Sequence, residues 1–139
     1  SREADFNVHS EVTGGVVTPA NPGIELDDGW IDDGDGSFTY TPGSVQYAQI
    51  RLTKDSNGIP FVPGVEYDIT VVYDEVSGPL PIIFHRFGSN LINFLTVTLA
   101  NTYTERVRML SDTPYLTIEA DNNTSITSIS LASVTAVIV

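Results

Sequence analysis

The sequence has no cysteine, a single methionine, a single tryptophan, and six basic residues against eighteen acidic ones. Without cysteine there can be no disulfide, no thiolate zinc site and no cysteine nucleophile, so packing or assembly must stabilise the chain. The shortage of basic residues leaves a formal charge of −12. Such a charge repels nucleic acid phosphates and anionic lipid surfaces, which argues against both as partners. No apolar run approaches the roughly 18 residues of a membrane span. The opening residues, SREADFNVHSEV, lack a basic segment followed by an apolar block, so no secretory signal is read in them. Catalytic signatures are missing as well: there is no GxSxG, no HExxH and no phosphate loop.

What the sequence does contain is strand pattern. FVPGVEYDITVVYD, residues 61–74, opens on a turn at Pro63 and Gly64 and then alternates. Tyr67, Ile69, Val71 and Tyr73 share one side, and Glu66, Asp68, Thr70 and Val72 the other, which predicts a half-buried strand at the centre of the fold. Before it come SFTY and VQYAQIRL, separated by Pro42 and Gly43. In VQYAQIRL, Gln46, Ala48, Ile50 and Leu52 oppose Tyr47, Gln49 and Arg51, and the second set is a face that can meet a ligand. The turn KDSNGIP is longer than a minimal turn and is a candidate for subunit contacts. Further strands are expected over 82–87, 93–99, 103–110, 114–120 and 126–139. No segment of ten residues or more has helical periodicity with caps. The chain length fits one domain. Residues 1–23 read as an arm or edge segment, and residues 24–139 as an all-β antiparallel sandwich of jelly-roll type.

The order of an acidic turn with Trp30, the strand VQYAQIRL, the turn at Pro63 and Gly64, and the strand from Tyr67 to Tyr73 resembles the galactose-binding-like jelly rolls. That architecture is shared by many non-catalytic carbohydrate-binding modules and by small domains of bacteriophage virion proteins. In that family a leucine precedes a glycine turn and a tyrosine strand, here Leu52, Gly64 and Tyr67, and the chain closes on a β-rich strand, here ITSISLASV. The family often carries an acidic residue in that last strand which helps a structural calcium. Ser128, Ser130 and Ser133 stand in this region instead.

For metal binding, the relevant cluster is Asp27, Asp28, Asp32, Asp33 and Asp35, since calcium takes several hard oxygen ligands from a flexible loop. Asp33, Asp35 and Ser37 occupy the first, third and fifth places of a DxDxS run, but Ser44 stands where an EF-hand would put its bidentate acid. The same residues suit tight turns, which select Asp and Gly. No cofactor is expected unless these aspartates hold calcium. For sugars, which stack on exposed rings while polar neighbours hold their hydroxyls, the surface candidates are Trp30, Tyr40, Tyr47, His85 and Arg86. A lone Trp in a sandwich also suits the core, and aromatic residues with Arg also suit an intersubunit contact.

These observations favour a non-enzymatic domain that works by binding and assembly. The first expectation is a virion component, a capsid decoration protein or tail-fibre domain, homotrimeric, with the arm latching a neighbour by strand addition. In that setting its partners are virion proteins, its own subunits and a cell-surface glycan. The alternative is a carbohydrate-binding module of a larger glycoside-active enzyme or adhesin, and a small hydrolase comes third.

Overall fold

The computed structural model describes residues 23–79, 81–88, 90–95, 101–112, 114–122 and 126–139. The arm expected over 1–23 lies outside these residues except for Gly23, as do residues 96–99 of the strand expected over 93–99. No helix occurs among the described residues. Ten strands do: β1 (Ile24–Leu26), β2 (Trp30–Asp32), β3 (Phe38–Tyr40), β4 (Tyr47–Leu52), β5 (Glu66–Ser77), β6 (Ile82–Phe87), β7 (Asn90–Leu95), β8 (Asn101–Arg108), β9 (Leu116–Asp121) and β10 (Ser128–Ile138).

They form two five-stranded antiparallel sheets, β1-β4-β9-β6-β7 and β2-β3-β10-β5-β8. The two-residue alternation of a strand explains how they stack. Tyr67, Ile69, Val71 and Tyr73 of β5 are buried, as are Ile129, Leu131, Val134 and Ala136 of β10. From the other sheet they meet Ala48, Ile50 and Leu52 of β4, Leu116, Ile118 and Ala120 of β9, and Ile83 and Phe87 of β6 within one core. At one place Phe61, Tyr67 and Phe87 pack edge to face, with centroids 5.0 to 5.6 Å apart. The Tyr67 hydroxyl accepts a bond from the Val62 amide at 2.9 Å.

Two expectations about the chain's order are corrected. β5 is an interior strand, but the middle place of its sheet belongs to β10. It also runs past Asp74 to Ser77, because register shifts in its pairing with β10 re-phase it. Asp74 and Glu75 are both exposed, and Val76 returns to the core. The turn KDSNGIP is anchored in the domain, where Asp55, Ser56 and Asn57 are buried. The Asp55 carboxylate accepts bonds from the amides of Asn57 and Ile59, and Ser56 exchanges two bonds with Ala136 of β10.

One end of the sandwich is closed by the acidic turn. Gly29 adopts φ +101°, and a Cβ there would stand 2.7 Å from the Thr41 carbonyl oxygen and 2.8 Å from the Tyr40 ring, so only glycine fits. This turn delivers Trp30, which is 5% exposed, onto Tyr40 at 5.0 Å. The Trp30 indole N–H then donates to the Ala48 carbonyl at 3.1 Å, tying β2 of one sheet to β4 of the other. Trp30→Ala is therefore expected to cost about 3 kcal/mol or more in urea denaturation. Tyr47→Ala, at a side chain that is 47% exposed, is expected to change stability by no more than about 0.5 kcal/mol.

Candidate functional site

The outward side of the first sheet carries the densest polar network among the described residues. Alternation along β4, β9 and β6 turns Tyr47, Gln49 and Arg51, then Thr117, Glu119 and Asp121, then Ile82, Phe84 and Arg86 away from the core. Register sets them in rows across the strands: Arg51, Thr117 and Arg86 form one row, Gln49, Glu119 and Phe84 the next, and Tyr47 stands opposite Asp121 in a third.

Glu119 is the hub of this face. Although it points outward from the middle strand, it is only 6% exposed, and a carboxylate so placed must have partners. Its Oε2 accepts from the Gln49 side-chain amide at 2.7 Å, and its Oε1 lies 3.6 Å from the Arg86 guanidinium. Gln49 in turn accepts from Arg51 at 3.2 Å, and Arg51 lies 3.7 Å from Glu25 of β1. Both ends of the Gln49 amide are thus committed, which fixes its orientation. Rings stand around the network. The Arg51 guanidinium lies over Tyr115 at 4.7 Å, that of Arg86 is 5.7 Å from the Phe84 centroid, and Tyr47 is open to solvent. A fixed array of donors and acceptors edged by rings can hold a polyhydroxylated ligand by hydrogen bonds and stacking.

The five residues singled out in the sequence separate between two environments. Tyr47 and Arg86 lie on this face. Trp30, Tyr40 and His85 do not: they are 5%, 0% and 3% exposed, and their expected surface placement is corrected. Trp30 and Tyr40 fill the end of the sandwich. His85 occupies an inward position of β6 between Ile83 and Phe87. Its Nε2 shares a 2.6 Å hydrogen bond with the Tyr73 hydroxyl, the two rings stack at 5.9 Å, and Tyr103 meets His85 edge-on. Thr117, Glu119 and Phe84 were not among the candidates. Strand parity sets them on one side of β9 and β6, but only the register with β4 makes them neighbours of Gln49 and Arg51.

Asp33 and Asp35 do come together, but as turn acceptors. Asp33 accepts from the hydroxyls of Ser37 and Thr39 at 3.2 and 2.8 Å. Asp35 accepts from the Ser37 hydroxyl and amide at 2.5 and 3.0 Å, bonds that hold its carboxyl below the usual carboxylate range. Among the described residues no three His, Asp or Glu side chains converge as metal ligands. Ser128, Ser130 and Ser133 supply no carboxylate from β10 either.

No family model matches the sequence, and no curated protein matches it. Solved structures do. The mannan binding module from Man5C is similar over 89% of this chain and 97% of its own, with 11% identity and a TM-score of 0.53. A family 29 carbohydrate binding module from Piromyces equi is similar over 88% of this chain and 85% of its own, with 12% identity and a TM-score of 0.53. The enzymatically active domain of tailspike protein 4 from bacteriophage CBA120 is similar over 84% of this chain, with 13% identity and a TM-score of 0.52, and here the chain spans only 18% of the other. The likeness is one of fold. It bears out the antiparallel sandwich and the resemblance to carbohydrate-binding modules and phage proteins.

Burial pushes His85 down to about 4 and raises Tyr73 well above the usual phenol range, with Tyr103 adding to the second effect. Between the ordinary histidine value of 6.5 and that depressed one, the unfolded chain binds a proton that the folded chain refuses, so stability falls as pH drops through this window. By about pH 5 the loss is about 2 kcal/mol. Thermal unfolding of the wild type should therefore fall more steeply below neutrality than that of His85→Gln. Equal slopes would sink this account of the pair.

Proposed function

We propose that the chain is a non-catalytic carbohydrate-binding domain whose ligand lies on the outward face of β4, β9 and β6. The observation that carries this reading is the Arg86, Glu119, Gln49, Arg51 network, held rigid in the middle of a sheet and edged by the rings of Tyr47, Phe84 and Tyr115. Sugars present several hydroxyls on a ring with an apolar face, and such a surface complements both features. The similar modules, one of them named for mannan binding, support the same reading. They favour a binding module over a virion component.

A glycan array probed with wild type and Tyr47→Ala tests it. The expected result is binding to at least one glycan class by the wild type and about a tenfold loss in the variant, the scale of one lost stacking contact. An array silent for a folded wild type would sink the proposal.

A second reading, a homotrimeric virion protein in an extracellular particle, rests on the tailspike likeness. Sedimentation of the 15.0 kDa chain decides its assembly claim: a trimer is expected at micromolar concentration, and a monomer there counts against it.

A further inference from the structure

Charge and ring placement on the same face narrow the ligand class, an inference that rests on the carbohydrate reading above. Both cations of the face are already matched on it, Arg51 by Glu25 and Arg86 by Glu119. Asp121 adds a further carboxylate on the outward side of β9. Among the described residues of this face a polyanionic glycan would find no spare positive charge, and from farther away it would meet the field of a −12 chain.

The rings set the ligand's extent. Tyr47 stands opposite Asp121 and Phe84 opposite Glu119, so the two rings are separated by two strand spacings across the sheet and one two-residue step along it. That places their backbones about 12 Å apart. A single sugar ring cannot cover both. Between them lie Gln49 and Glu119, whose polar atoms hold one another in place. Tyr47 offers an open ring at one end, while the other end offers Phe84 together with the Arg86 guanidinium beside it.

We propose that the face takes an internal stretch of an uncharged oligosaccharide, laid obliquely over β4, β9 and β6 from Tyr47 to the Phe84 and Arg86 pair. Hydroxyls of the sugar units between the rings then meet Gln49 and Arg86, which Glu119 holds in place from beneath. The ligand is read as a chain and not as a terminal sugar.

Calorimetric titration of the full chain tests this with gluco-, manno- and xylo-oligosaccharides from monomer to hexamer and with hexameric oligogalacturonate, at low and high salt. At least one neutral series should gain about a hundredfold in affinity from monomer to hexamer, with little dependence on salt. Tyr47→Ala should lower hexamer affinity about tenfold, and Tyr47→Phe, which keeps the ring, should stay within about twofold of wild type. Equal affinity for monomer and hexamer overturns the extended chain while leaving the carbohydrate reading intact. A preference for oligogalacturonate that fades with salt overturns the uncharged class alone. If no oligosaccharide binds, the array decides: binding there to another glycan overturns this inference only, and silence there overturns both readings.

Discussion

The pairing of β5 with β10 is the contact on which the sandwich depends. It joins Tyr67 to Ile138 at one end and Ser77 to Ser128 at the other, so segments more than fifty residues apart in sequence run alongside each other for almost their whole length. Closing so long a loop costs conformational entropy, which is offset only when the ladder and the buried faces of both strands form together. The pairing also decides which side of β5 is inside. Once Ile69 and Val71 face Ala136 and Val134 within the core, Tyr73 is carried inward to meet His85 of the opposite sheet. The register shifts near Leu131 then absorb the extra residues that let β5 continue to Ser77.

Charge is distributed in a way that suits so acidic a chain. The four described arginines lie on the two outer faces, each beside a carboxylate: Arg51 by Glu25, Arg86 by Glu119, Arg106 by Asp68, and Arg108 by Glu66. The Asp68 and Arg106 pair is bidentate, at 2.8 and 3.1 Å, and it holds the Asp68 carboxyl low, but both side chains are largely exposed and the pair contributes little to stability. Excess aspartates gather in turns, where Asp28, Asp32, Asp33 and Asp35 accept bonds from nearby amides and hydroxyls. Glu119 differs from all of these. It is a carboxylate under the long side chains of a sheet face, and its neighbours are positioned by the need to satisfy it.

The strands themselves were readable. Residues 82–87 are a strand with the expected bounds, and β4, β5, β9 and β10 overlap their predicted runs. The site was less readable, and the reason is parity. In IIFHRF, Ile83, His85 and Phe87 share one side of the strand and Ile82, Phe84 and Arg86 the other, so His85 belongs with the apolar set. Choosing residues by chemical type brought His85 and Arg86 together as candidates when the strand sends them to opposite faces. Trp30 and Tyr40 misled for a related reason, since short strands of three residues carry too little alternation to tell inside from outside.

The sequence by itself determined the all-β class, the position of most strands and which residues of an alternating strand share a side, because local alternation and turn residues are properties of neighbouring positions. Tertiary structure decided the rest. Which strand lies at the middle of a sheet, and that Gln49, Glu119 and Arg86 converge from three strands, depends on long-range register, and nothing local encodes register between segments seventy residues apart. The candidate site is built from that register, which is why its hub, Glu119, reads in the sequence as one more polar residue on an alternating strand.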